Sequence, residues 1–140
     1  MAEGQLVHAS CVAIKGRAIL IIGPSGSGKS DLALRLIDRG ARLVSDDQTH
    51  VRLENGRLLA SPPKTIQGMV EVRGLGIRAM EWEADVPLAV AIELGAAVER
   101  FPLEPRALTL AGQELPLVGL DAFHASTPLK AEFALADISS

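Results

Sequence analysis

The sequence is poor in the residues that mark several common classes of protein. Its single cysteine, Cys11, excludes an internal disulfide and a cysteine-based metal site. The aromatic residues are three Phe and one Trp, and the net charge of −3 comes without a basic run, so the chain lacks the charge and stacking surfaces of nucleic-acid-binding proteins. No uninterrupted apolar run reaches the ~18 residues of a membrane span, and the N-terminus lacks the pattern of a signal peptide. We therefore expect a cytoplasmic protein without nucleic-acid or membrane partners, in which Cys11 is a small buried side chain rather than a reactive thiol.

The composition is otherwise that of one globular domain. The 140 residues are 48% apolar and 22% charged, and a domain of this size buries roughly 70% of the surface of its unfolded chain. The sequence contains no internal repeat, low-complexity tract or linker. We expect residues 1–140 to form a single domain.

One glycine-rich stretch carries the clearest chemical signal. Gly23-Pro24-Ser25-Gly26-Ser27-Gly28-Lys29-Ser30 matches the phosphate-loop pattern G-x-x-x-x-G-K-[ST] without deviation. A predicted strand, Ala18 to Ile22, precedes it and an amphipathic helical pattern follows it, which is the context that the motif requires. In such a loop, backbone N–H groups surround phosphate oxygens, Lys29 supplies charge to the β and γ phosphates, and Ser30 supplies a hydroxyl to Mg²⁺. The alternative is a plain Gly/Ser-rich turn, but the context favours a nucleoside-phosphate site.

The remaining pattern predicts an α/β fold, a phosphate-loop kinase-like domain with a mixed sheet, flanking helices and β-hairpins. The predicted elements are a strand over 5–14, a strand over 18–22, a helix ending at Gly40, a strand over 42–45, a hairpin around Asn55-Gly56, a helical turn over 66–69, a strand over 70–73, a loop at 74–76, a strand over 87–94, a hairpin over 108–117 and a helix over 128–138.

Two adjacent carboxylates, Asp46 and Asp47, follow the strand predicted over 42–45. Because a strand, a helix and a second strand joined by a short crossover are parallel, this strand should end beside the phosphate loop, where open α/β sheets bind ligands. Neighbouring residues on a strand point to opposite faces, so one aspartate should be catalytic and the other metal-linked or structural. An Asx turn is the structural alternative. The pair indicates phosphoryl transfer rather than binding alone.

Four further side chains could complete such a site, although the local pattern does not single them out. Glu71 and Arg73 lie on one face of a predicted strand, where a solvated ion pair is at least as typical as a functional site. His8 lies in an apolar strand, as a core or edge histidine would. Arg100 is placed like a surface charge at the end of a strand.

Taken in order, these segments resemble the catalytic domain of the bacterial HPr kinase/phosphorylase family. Members of this family phosphorylate a serine of the phosphocarrier protein HPr and can reverse that reaction by phosphorolysis. The resemblance rests on four features in sequence order, which are Val7-His8, the phosphate loop with its leading hairpin, the segment from Arg39 to Asp47, and Glu71-Val72-Arg73-Gly74-Leu75-Gly76-Ile77. The last is close to the Glu-Ile-Arg-Gly-Leu-Gly signature of the family.

The resemblance implies a role for each matching position. Residues 23–30 would bind ATP or pyrophosphate with Mg²⁺, and Glu71 would be a second metal-associated carboxylate. Asp47 would take the proton from the acceptor serine and return one in the reverse direction. His8 would be an active-site residue near the phosphate loop. Arg100 would be an active-site arginine that stabilises charge on the transferring group, with Asp46 and Arg73 as further candidates.

Two departures from the family pattern affect these expectations. The usual N-terminal domain of the family has no counterpart in residues 1–140, as in the short form found in some proteobacteria. The Arg-Pro-Gly-Arg-Asn segment linked to dephosphorylation also lacks a good counterpart, since Ser126 to Lys130 occupies that region with Lys130 as its only basic residue. Kinase activity is therefore predicted more strongly than phosphorolysis. The resemblance also implies HPr or an HPr-like carrier as partner and assembly into hexamers.

Two other functions stay open on the sequence. A small-molecule kinase would also pair a phosphate loop with an aspartate, although no Arg-rich lid segment is present. A nucleotide-sensing regulator would keep residues 23–30 and tolerate the loss of Asp47. The presence of both Asp47 and Glu71 favours an enzyme.

Overall fold

The structure, a computed structural model, describes residues 4–98 and 104–138. In these ranges the chain forms strands and two helices, with a single 3-10 turn at Lys64–Ile66. The elements are β1 (Gly4–Val7), β2 (Ser10–Ile14), β3 (Arg17–Ile22), α1 (Lys29–Asp38), β4 (Arg42–Ser45), β5 (Thr49–Glu54), β6 (Arg57–Ser61), β7 (Met69–Val72), β8 (Gly76–Ala79), β9 (Val86–Glu93), β10 (Arg106–Leu110), β11 (Gln113–Gly119) and α2 (Thr127–Ala136). Neither helix in the described part of the chain has the length and apolar character needed to cross a membrane. The predicted α/β fold with a mixed sheet, flanking helices and hairpins is confirmed.

Nine strands form one curled sheet, and β7 and β8 form a separate hairpin. The order along the sheet is β1-β5-β6-β9-β3-β2-β4, and β11 pairs with the C-terminal part of β9 and carries β10 beyond it. β1 and β2 follow each other in sequence but lie far apart in this order. The curl brings them together, and the hydroxyl of Thr49 on β5 donates a hydrogen bond to the carbonyl oxygen of Ala9, at 2.9 Å.

The central strands are buried on both faces, which explains their nearly continuous apolar sequences. Ile19 and Ile21 of β3 face the two helices and pack with Leu32 of α1. Leu20 faces the inside of the curl and packs with Cys11. This alternation gives one core under the helices and a second core inside the sheet.

Cys11 is fully buried in the inner core. Burial raises the pKa of its thiol, because the thiolate would lose its hydration there. The expectation of a small buried side chain is confirmed.

α1 follows the phosphate loop directly and contacts α2. The helix begins after Gly28 and ends at Asp38, where Gly40 follows in the left-handed conformation with φ of 112°, as its predicted capping role requires. α2 packs against α1, and Arg39, which follows the last residue of α1, forms an ion pair of 2.8 Å with Glu132 in the middle of α2.

The structure corrects one predicted strand and adds one that was not predicted. The strand predicted over 5–14 is broken at His8 and Ala9, because β1 pairs with β5 whereas β2 pairs with β3 and β4. β3 and β4 are parallel, as predicted, and β2 lies between them in the sheet. β8 follows directly on the turn at 73–75 and was not predicted, because its four residues are short and exposed.

Candidate active site

The phosphate loop is a closed turn between β3 and α1. The ammonium group of Lys29 donates hydrogen bonds to the carbonyl oxygens of Gly23 and Pro24, at 2.8 and 3.1 Å, and the side chain is almost fully buried. Two glycines allow the close packing of this loop. A Cβ at Gly23 would lie 2.7 Å from the carbonyl oxygen of Leu94, and Gly28 has φ of 101° with Ala122 Cβ 3.1 Å from where its own Cβ would be. The ammonium group of Lys29 therefore lies inside a loop whose shape requires glycine at positions 23 and 28.

We expect Gly28→Ala to lower the free energy of unfolding by roughly 1–3 kcal/mol, because alanine would be forced into the left-handed region and against Ala122. Gly26→Ala is a matched control, since Gly26 has φ of 79° and nothing within 4 Å of its missing Cβ. Urea denaturation followed by the fluorescence of Trp82, the single Trp of the chain, measures both variants. Equal losses for the two variants would contradict a contribution from the contact with Ala122.

Asp46 joins three elements at the end of β4. Its Oδ1 accepts hydrogen bonds from the hydroxyls of Ser30 and Ser10, at 2.6 and 2.9 Å, and its Oδ2 accepts one from the backbone N–H of Glu71, at 3.3 Å. Asp46 as a residue is 7% exposed. Because all three donors belong to other elements, these contacts are not those of a local Asx turn. Asp46 connects the phosphate-loop helix, β2 and β7.

Asp47 has different surroundings. Its Oδ1 lies 2.9 Å from Nε2 of His8, and its side chain is 68% exposed. Its backbone has φ of 69°, a costly conformation for a residue other than glycine, and its N–H donates to the Ser10 hydroxyl at 3.2 Å. The contact with His8 requires Nε2 to carry the proton when Asp47 is ionised. The two adjacent aspartates therefore point to different partners, one buried and one facing solvent.

Ser10 is a site residue that the sequence analysis missed. Its hydroxyl donates to Asp46 and accepts from the backbone N–H of Asp47, so that one side chain orients both aspartates. A small polar residue between Ala9 and Cys11 in an apolar strand gave no signal. Only the pairing of β2 with β4 brings it to the aspartates.

The other predicted site residues differ in whether they contact Asp46 or Asp47. Glu71 is on β7, with its backbone at Asp46 and its side chain exposed. Arg73 is exposed in the turn after β7, and among the described residues no ion pair joins it to Glu71, so the predicted solvated pair on one strand face was wrong. Lys130 is exposed on α2, outside these contacts. Arg100 lies outside the described residues.

Ser30 and Asp46 form the group best suited to a metal ion. The described residues contain no cluster of three or more His, Cys, Asp and Glu side chains that could hold a metal by themselves. Mg²⁺ needs no such cluster, because it keeps several waters and is held by one or two protein oxygens together with phosphate oxygens. The Ser30 hydroxyl and the Asp46 carboxylate, in contact at the start of α1, are the donor pair used by phosphate-loop proteins.

Comparisons with known proteins agree on one family. Residues 1–82 match the family model described as HPr Serine kinase C-terminal domain. The HPr kinase/phosphorylases of Clostridium botulinum (strain Eklund 17B / Type B) and Clostridium beijerinckii are each 51% identical to this chain over 77 residues, which is 55% of this chain and 25% and 26% of theirs. The match thus spans about a quarter of the length of these relatives. A solved structure, the Hpr(Ser) kinase/phosphatase from Coxiella burnetii, has a TM-score of 0.78 and 28% identity, covering 95% of each chain.

Proposed function

Since this chain belongs to the family of HPr serine kinase C-terminal domains, we propose that it transfers the γ phosphoryl group of ATP to a serine hydroxyl of HPr or an HPr-like carrier protein. The observation that carries the proposal is the pair of aspartates after β4, with Asp46 bonded to Ser30 at the start of α1 and Asp47 exposed to solvent beside His8. Phosphoryl transfer needs a phosphate-binding loop, a group that holds the metal and a proton acceptor. Residues 23–30, Asp46 with Ser30, and Asp47 would supply these three parts.

In the proposed reaction, the chain acts mainly through positioning and charge. The backbone N–H groups of residues 23–28 and the ammonium group of Lys29 bind the β and γ phosphates. Asp47 accepts the proton of the serine hydroxyl while the serine oxygen forms a bond to the γ phosphorus. The bond between that phosphorus and the oxygen that bridges it to the β phosphorus breaks, and ADP is released. Ser30, Asp46 and Glu71 would hold Mg²⁺, which neutralises phosphate charge when bound. Arg100 and Arg73 are proposed to supply positive charge that stabilises the transferring group.

One assay separates this proposal from the two alternatives. Purified protein is incubated with Mg²⁺, ATP labelled at the γ phosphate, and purified HPr, and the carrier is then examined for labelled serine. We expect label on the carrier. A parallel reaction replaces HPr with the small molecules of a cell extract. Label on one of these small molecules, with none on HPr in the first reaction, would favour a small-molecule kinase. ATP binding without any transfer would favour a nucleotide-sensing regulator.

His8 is proposed to orient Asp47 rather than to touch the transferring group. Its Nε2 contacts the Asp47 carboxylate, whose backbone is in an unfavourable conformation, so removal of the imidazole should leave the carboxylate less well positioned. We expect His8→Ala to lower kcat by roughly tenfold while the KM for ATP changes little. His8→Gln, which keeps an N–H donor at a similar distance, should retain more of the activity. If the two variants had the same kcat, an orienting hydrogen bond would be disproved.

A further inference from the structure

The loop over residues 120–126 lies beside the phosphate loop for a topological reason. β11 is parallel to β9, and β9 is parallel to β3, so all three end at the same edge of the sheet. The phosphate loop follows β3, and residues 120–126 follow β11. Ala122 and Phe123 reach Gly28, with Cε1 of the Phe123 ring 3.7 Å from the position that a Cβ of Gly28 would take.

The backbone of this loop is held firmly at both sides of Phe123. The guanidinium group of Arg35 on α1 donates to the carbonyl oxygens of Ala122 and His124. The N–H of Phe123 donates to Oδ1 of Asp121, at 2.8 Å. These bonds fix the position from which the Phe123 side chain projects.

In spite of this fixed backbone, Phe123 is 78% exposed. Single exposed apolar side chains are common on protein surfaces, so the exposure of Phe123 gains its meaning from its place, with Cε1 3.7 Å from the position that a Cβ of Gly28 in the phosphate loop would take. A nucleoside triphosphate bound through its phosphates carries an aromatic base beyond its ribose. An exposed phenyl face at the rim of the phosphate loop is a surface on which such a base can stack.

The sheet order indicates which end of the substrate this ring meets. The order β11-β9-β3-β2-β4 puts the phosphate loop after β3, Asp47 on the β4 side and Phe123 on the β11 side. The acceptor hydroxyl must meet the γ phosphate near Asp47. The nucleoside end of the donor is therefore left to the opposite side, where Phe123 stands.

We propose that Phe123 is the stacking surface for the base of the nucleoside triphosphate, so that the site prefers ATP to inorganic polyphosphates. The inference rests on the part of the proposed function that assigns phosphate binding to residues 23–30, and it is independent of HPr. It assigns the donor as a nucleotide, where the phosphate loop alone would accept any chain of phosphates.

Isothermal titration of the whole chain with MgATP and with magnesium tripolyphosphate tests this assignment without an acceptor. We expect Phe123→Ala to weaken MgATP binding by roughly fivefold to a hundredfold, the loss typical of one base–aromatic stack, and to leave tripolyphosphate binding unchanged. Phe123→Trp should keep the wild-type affinity for ATP. Phe133→Ala is the matched control, because Phe133 is also exposed, at 61%, but lies on α2; it should bind both ligands as the wild type does.

The possible outcomes are distinct. Wild-type affinity of Phe123→Ala for MgATP would overturn the assignment, and so would an equal loss of both ligands, which would indicate a structural role. A higher KM for HPr with unchanged ATP binding would show that Phe123 meets the acceptor protein instead. If the wild type bound neither ligand, the assignment of phosphate binding to residues 23–30 would itself fail. If Phe123→Ala lost affinity for MgATP alone and the wild type did not transfer label to HPr, the role of Phe123 would stand and only the proposed acceptor would be rejected.

Discussion

Asp47→Asn is expected to lower the kcat of HPr phosphorylation by about 10²–10⁴, the usual contribution of a general base. Asparagine has nearly the same shape and can still contact His8, but it cannot accept the proton of the serine hydroxyl. The KM for ATP should stay close to the wild-type value, because the proposed site for the phosphates is formed by residues 23–30 and not by Asp47. Because the Asp47 side chain is 68% exposed, the thermal midpoint should also be close to that of the wild type.

The measurement is the initial rate of label transfer to HPr, with circular dichroism as the control for folding. Asp31→Asn is a suitable comparison, because Asp31 is an exposed aspartate on α1 whose partner is Arg35 rather than a site residue. It should retain most of the activity. Wild-type turnover by Asp47→Asn would rule out Asp47 as the base.

The phosphate loop and the two aspartates could be predicted from the sequence because their signals are local. The loop pattern, the strand before it and the helix after it are contiguous, and Asn55-Gly56 similarly specified its hairpin, with both residues at positive φ. The expectation that Asp46 and Asp47 have separate roles followed from the geometry of a strand end. These predictions needed no information about distant parts of the chain.

The parts that could not be predicted depend on long-range strand pairing. The predicted strand breaks at His8 because β1 pairs with β5 whereas β2 pairs with β3 and β4. The partners of β1 are far away in sequence, since Gly4 pairs with Arg52 and Val7 with Thr49. Ser10 reaches the aspartates only because β2 lies between β3 and β4. Phe123 reaches Gly28 only because β11 pairs with β9. These contacts join segments that are far apart in the chain, so the local sequence around Ser10 and Phe123 does not indicate them.

Asp46→Asn should differ from Asp47→Asn by affecting both stability and the requirement for Mg²⁺. The Asp46 carboxylate accepts hydrogen bonds at both oxygens, from Ser10, Ser30 and the N–H of Glu71. An amide has one acceptor oxygen and no charge, so either the Ser10 and Ser30 hydroxyls turn to accept from its NH₂ group or the N–H of Glu71 loses its acceptor. The loss of the charge-assisted hydrogen bonds should lower the free energy of unfolding by about 1–3 kcal/mol. Loss of the charge should also raise the Mg²⁺ concentration at half-maximal activity by about tenfold or more.

Ser10→Ala separates the two effects, because it removes a donor to Asp46 but leaves the carboxylate and its charge. It should lower the free energy of unfolding, measured by urea titration of Trp82 fluorescence, while the half-maximal Mg²⁺ concentration changes little. Asp46→Asn should change both quantities. A variant Asp46→Asn with wild-type stability and wild-type Mg²⁺ dependence would mean that the buried carboxylate neither joins these elements nor holds the metal. If stability alone fell, the metal would have to be assigned to Glu71 with Ser30, and Asp46 would be a structural link between α1, β2 and β7.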